Sequence, residues 1–140
     1  VEDGSVVANT MEICLKEANL IPEEIDYINA HGSSTYLNDL IEVRAIKKLF
    51  KEFAYEIPIS SVKSQFGHAL CATGLVEIAS ILEMFKSKFI SANLNCDNSD
   101  EHCDLNFVKQ PILSKKIKFV LKNSFGFGGY NSSLILKNIS

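Results

Sequence analysis

Several things are missing from this sequence, and each absence removes a class of protein. Among its 140 residues no run of about 18 uninterrupted apolar side chains occurs, so no segment reads as a membrane-spanning helix. The opening VEDGSVVANT lacks the charged-then-apolar form of a signal peptide. It also lacks an initiating methionine, and the expectation is a fragment, a processed chain or one trimmed at its front. A surplus of positive charge is absent too: Lys and Arg number 14 against 17 Asp and Glu, for a net charge of −3. Nucleic acid and anionic membranes attract clustered positive charge, so neither has an electrostatic case as a partner. The short lysine groups, Lys47, Lys48 and Lys51, then Lys115, Lys116 and Lys118, read as solvated faces. Cys14, Cys71, Cys96 and Cys103 form no CxxC pair and have no histidine at zinc-ligand spacing. A chain of this length needs no disulfide framework, so the expectation is reduced thiols in a cytosol-like compartment, with no metal. No internal repeat or low-complexity tract occurs.

What is present is a core-forming pattern. Hydrophobic residues make up 46% of the chain, enough for one domain that buries roughly two thirds of its unfolded surface. Val7, Met11, Cys14, Leu15 and Ala18 recur at helical spacing and predict a first helix from Val6 to Asn19. Pro22 breaks it before a short strand, IDYINA. Leu40, Val43, Ile46, Leu49, Phe50 and Phe53 predict a second helix, capped by Asn38 or Asp39, and IPISSV predicts a second strand. From Ala69 to Lys86 the apolar residues run most of the way round a helical wheel, which predicts a helix buried between layers. NLNCDNSDEHCDLN reads as a surface loop. KIKFVLKNS and SSLILK read as strands joined by FGFGGYN, whose three glycines permit a tight turn and a close approach to a ligand. The order α, β, α, β, α, loop, β, β predicts an α/β layered domain.

Three polar clusters fall at strand ends, where layered α/β folds bind their ligands: NAHGSST, SVKSQFGH and NSFGFGGYN. Singly, each has an ordinary alternative: His31 as a hydrogen-bonded loop histidine, Lys63 as a surface lysine, the glycines as a hairpin turn. Their convergence is the signal.

Three longer segments carry a resemblance: INAHGSSTYLNDLIE, SSVKSQFGHALCATGLVE and NSFGFGGYNSSLIL, with CDLNFV between the last two. They resemble, in order, the N-A-H-G-T-S-T-P-x-G-D-x-x-E, K-S-x-x-G-H-x-x-G-A-A-G and N-S-F-G-F-G-G-T-N patterns of the β-ketoacyl-acyl carrier protein synthases. These are condensing enzymes of the thiolase-like superfamily, and the likeness is to the elongating type of fatty acid synthesis. The resemblance implies that residues 1–140 are the C-terminal half of a thiolase-like αβαβα layered sandwich. It implies His31 and His68 as the histidines that hydrogen-bond a malonyl thioester carbonyl and stabilise the enolate formed on loss of CO2. A neutral imidazole N–H can do this, and a neighbouring helix N-terminus favours neutrality. Lys63 is implied to organise the site within a carboxylate network at Asp39, Glu42 and Glu77. Phe127 is implied to gate the acyl pocket and to supply an oxyanion-hole N–H, and Ser33 and Thr35 to bind the pantetheine arm. No cofactor beyond the phosphopantetheine carried in by acyl carrier protein is implied. The implied partners are that carrier, the missing N-terminal half and a second copy in a homodimer, in the cytoplasm or a plastid-like organelle.

Cys71, three residues past His68, is the tempting nucleophile, but it falls where the family has a packing glycine. The family's acylated cysteine lies in the other half, so this chain alone is expected to condense nothing and to leave uncovered the apolar faces that half would cover. Tyr36, Asn38, Cys71, Thr73 and Tyr130 depart from the family pattern, and the two tyrosines would reshape the substrate channel. The same motifs are shared by polyketide ketosynthases, and a non-catalytic chain-length-factor-like subunit or remnant is the alternative outside enzymology.

Overall fold

The computed structural model describes residues 2–113 and 116–139, which leaves Lys115 of the second lysine group outside the described residues. The elements in chain order are α1 (Ser5–Ala18), β1 (Tyr27–Asn29), α2 (Tyr36–Phe50), β2 (Ile59–Ser60), a one-turn α3 (Lys63–Phe66) and α4 (Thr73–Ser87). They are followed by β3 (Phe89–Ile90), β4 (Ile112–Leu113), β5 (Phe119–Phe125) and β6 (Asn131–Lys137). The main sheet has the order β2-β1-β5-β6, with β1 parallel to both neighbours and β6 antiparallel to β5. β3 and β4 form a separate antiparallel pair that the sequence pattern did not suggest.

Period-two alternation sorts the sheet residues onto its faces. Ile28, Ile59 and Leu121 pack with Val7, Met11 and Leu15 of α1 and with Val43, Ile46 and Phe50 of α2. Tyr27 and Val120 point the other way, against Ile81, Met84 and Phe85 of α4. The result is a mixed sheet between helix layers, the α/β arrangement expected. Each fully buried branched side chain here contributes roughly 1.5–3 kcal/mol.

Two expectations need correction. α2 begins at Tyr36, not beyond an Asn38 or Asp39 cap: Thr35 is extended (φ −102°, ψ 136°) and its carbonyl already accepts the Asp39 N–H at 3.0 Å. α4 is not buried all round. Only one side meets the sheet, and Leu75 and Leu82 on the other are 74% and 55% exposed. Phe66, Leu70 and Phe127 are likewise open to solvent.

Because β1, β2 and β5 run parallel, their C-terminal ends share one edge of the sheet. The segments beyond those ends are the three polar clusters.

Candidate active site

His31 lies two residues past β1, and its main chain is fixed from both directions. Its N–H donates to Glu42 Oε1 at 2.9 Å, and its carbonyl accepts the Lys63 ammonium at 2.5 Å. Gly32 completes the turn: its N–H donates to Glu42 Oε2 at 3.0 Å, and its φ is +43°. A Cβ at Gly32 would come within 2.6 Å of the Ser61 Cβ, so only glycine fits.

The His31 ring meets the His68 ring edge-on, with centroids 5.6 Å apart and planes at 81°, and lies 5.5 Å from the Phe125 ring. Burial, reinforced by the positive charge of Lys63, by the neighbouring His68 and by Lys122, lowers the His31 pKa to about 4, so the imidazole is neutral at physiological pH. Local hydrogen bonding fixes the tautomer of His68. The Leu70 backbone N–H, which can only donate, points at His68 Nδ1 at 3.0 Å, and Thr73 Oγ1 lies 3.0 Å from the same atom. Nδ1 is therefore an acceptor, and the ring proton sits on Nε2.

Beneath the histidines lies a buried charge cluster. Lys63 pairs with Glu77 Oε1 at 2.5 Å, and Lys122 approaches Glu77 Oε2 at 2.8 Å. Of the three carboxylates expected around Lys63, only Glu77 touches it. Glu42 is turned to the His31 and Gly32 N–H groups and to the Asn123 amide (3.1 Å), while Asp39 accepts from the Asn38 amide. The loop's peptide N–H groups reach Glu42 first, so this acid holds His31 from the opposite side. Burial pushes the Glu42 pKa up, opposed by those three donors.

Ser33 and Thr35 hydroxyls hydrogen-bond each other at 3.0 Å and line a cavity of about 670 Å³ together with Lys63, His68, Tyr36 and Asn95. The NLNCDNSDEHCDLN segment is a loop as expected, but it also forms the far wall of this cavity. Asn93 secures it by accepting the Ser61 N–H at 2.8 Å. Phe127 sits in the β5–β6 connection and is 98% exposed, with Gly128 and Gly129 at φ +79° and +82°. Cys71 is an exposed free thiol on a single 3-10 turn, and the other three cysteines are free as well. Among the described residues no His, Cys, Asp and Glu group could hold a metal ion.

Asn123 and Phe125 belong to the NSFGFGGYN cluster but were given no role of their own, and Lys122, just before it, escaped the sequence reading. Lys122 had one usable signal, a charge at a strand position of the same parity as buried Val120.

A family profile, Beta-ketoacyl synthase, C-terminal domain, matches residues 1–97. This chain belongs to that family. The domain is 43% identical over 129 residues to 3-oxoacyl-[acyl-carrier-protein] synthase 2 of Coxiella burnetii (strain RSA 493 / Nine Mile phase I), covering 92% of this chain and 31% of that protein. It is 40% identical to a putative polyketide beta-ketoacyl synthase 1 of Streptomyces virginiae, covering 97% of this chain and 32% of the relative. Among solved structures, the ketosynthase AntDE in complex with its acyl carrier protein AntF superposes with a TM-score of 0.95 at 35% identity, over 100% of this chain and 34% of that one. The synthase domain thus spans about a third of the length of these relatives. Its fold is that of the thiolase-like ketosynthases.

One property of the domain follows from His31. The unfolded chain binds a proton there near pH 6.5 and the folded one near pH 4, so the unfolded state binds more protons between those values. Stability from this group is complete above about pH 6.5 and declines as pH falls towards about 4. In the complete protein, the urea midpoint should fall over this range more steeply than that of His31→Gln. Parallel curves for the two would contradict the neutral, buried state of the ring.

Proposed function

We propose that this domain supplies the decarboxylating half of a condensing enzyme, a 3-oxoacyl-[acyl-carrier-protein] synthase. The carrying observation is the His31–His68 pair, edge-on at 5.6 Å, with one ring buried and neutral and the other bearing its proton on Nε2. A malonyl thioester on the phosphopantetheine arm of acyl carrier protein enters along Ser33 and Thr35. Imidazole N–H groups bind its carbonyl oxygen. The bond to the carboxylate breaks, CO2 leaves, and the electron pair becomes an enolate whose oxygen those donors stabilise. The enolate carbon then attacks an acyl thioester on a cysteine supplied by another part of the enzyme. The thiolate leaves, and a β-ketoacyl carrier protein is the product.

In this reading the Phe127 N–H serves the second oxyanion, and its side chain gates the acyl pocket on a glycine hinge. Lys63 and Glu77 are supporting groups, as are Glu42 and Asp39 from α2. The exposed face of Leu75, Leu82, Leu70 and Phe66 is covered by the rest of the synthase, which works as a homodimer. Support for acyl carrier protein as partner comes from the solved ketosynthase complex, and support for chain elongation from the 43% identical relative. Among the described residues no helix is long and apolar enough to cross a membrane; the location that accompanies this reading is the cytoplasm or a plastid-like organelle.

The test uses the complete protein and malonyl-acyl carrier protein labelled in its free carboxyl. Saturable release of labelled CO2 is expected. Release no faster than in buffer would sink the proposal.

A further inference from the structure

Lys122 took no part in the motif-based reading, yet it is as buried as Lys63: 5% exposed against 9%. β5 carries it on the α4 face of the sheet, and the β1–β5 register sets it opposite Asn29. Its ammonium approaches Glu77 Oε2 at 2.8 Å and donates to Ser124 Oγ, while Lys63 takes Glu77 Oε1 at 2.5 Å. One fully buried carboxylate therefore faces two ammonium groups, and the three-residue cluster carries one positive charge in excess. Neither Glu42 nor Asp39 pairs with either lysine; their hydrogen bonds go to the loop N–H groups, Asn123 and Asn38.

Stability does not account for this arrangement. Glu77 already has a partner in Lys63, and taking a second ammonium out of water is unfavourable. A lysine free to extend would carry its charge to solvent. What the extra charge does alter is the potential at the neighbouring histidines, where the low dielectric leaves it poorly screened.

We infer that Lys122 is a positioning residue of this active site: it holds Glu77, and through it Lys63, and its surplus charge adds to burial in favouring the neutral form of His31 and negative charge on the bound oxygen. The effect on the bound oxygen rests on the proposed decarboxylation; the rest does not. The charged and titratable groups around His31 are Lys63 from α3, His68 from the segment before α4, Lys122 from β5 and Glu42 from α2. After burial, Lys63, His68 and Lys122, in that order, all act to lower its pKa.

The experiment is an NMR titration of the complete protein with isotope-labelled histidine rings, His31 being assigned by the signal lost in His31→Gln. Lys122→Met is expected to raise the His31 midpoint by about half a pH unit, and Lys122→Arg to leave it near the wild-type value. The acid limb of the decarboxylation profile should move with it. An unchanged midpoint in a folded Lys122→Met protein overturns the inference, because a lysine needed only for packing would not be sensed at His31. If that variant does not fold, Lys122→Gln is read in the same way. If neither folds, the unmodified protein decides: the Lys122 ammonium nitrogen resonance should shift as His31 titrates, and an insensitive resonance overturns the inference. A shifted midpoint in an enzyme that releases no CO2 would remove the functional proposal and leave this inference standing.

Discussion

Replacing Glu77 by alanine is expected to lower the unfolding free energy of the complete protein by about 3–5 kcal/mol, the usual penalty for leaving a buried ion pair half made. Glu77 is fully buried, and both of its oxygens face ammonium groups. Its removal strands two positive charges, so the loss should lie at the upper end of that range. Changing Lys63→Met, Glu77→Leu and Lys122→Met together should recover most of the stability, since apolar side chains of similar volume suit this layer between β5 and α4. The triple variant should nevertheless release CO2 poorly, because the His31 carbonyl has then lost the Lys63 donor that fixes it. Urea unfolding together with CO2 release checks both halves. A Glu77→Ala protein within about 1 kcal/mol of wild type would mean the cluster is wetter than its burial indicates.

His68→Ala should cut the rate of decarboxylation by about 10²–10³, the loss typical of one oxyanion donor. The loss should appear in kcat with little change in KM, because the hydrogen bond strengthens as charge develops on the oxygen. The tautomer gives a sharper test. With the ring proton on Nε2, a glutamine amide can place its N–H near that position, whereas an asparagine amide mimics Nδ1, the atom taken by the Leu70 N–H. His68→Gln should therefore outperform His68→Asn by about tenfold, roughly the worth of one neutral hydrogen bond. Equal rates for the two would remove Nε2–H as the donor. Labelled CO2 release under single-turnover conditions is the measurement.

The residues that came through in the sequence are those whose roles are set by short contiguous stretches. His31 with Gly32, Lys63 and His68 each sit in a segment just past a strand end, and parallel strands bring such ends to one edge of a sheet. The helices were visible through their buried stripes. What stayed hidden depends on backbone acceptors or on partners distant in the chain. α2 looked capped at Asn38 or Asp39, because a backbone acceptor such as the Thr35 carbonyl leaves no side-chain signature. Glu42 looked like a partner for Lys63, because spacing alone does not show that two peptide N–H groups reach it first. Lys122 drew no reading at all, because its partner Glu77 lies on α4, far from it in the sequence. The apolar wheel of α4 was read correctly as composition, and among the described residues the sheet covers only one of its sides.

The central position of β1 also governs when this site can come into being. β1 is flanked by β2 and by β5, and β5 joins it from more than 90 residues downstream. Pairings this remote in sequence are slow to form, because the intervening chain must lose its freedom before the contact gives anything back. On a ribosome, the loop bearing His31 emerges long before the strand bearing Lys122 and Asn123 exists. Until that strand docks, Glu77 lacks its second cation and Glu42 its amide. The edge that holds the histidines is thus completed only once β5 has been made and docked, and until then a growing chain carries His31 and His68 without the full set of groups around them.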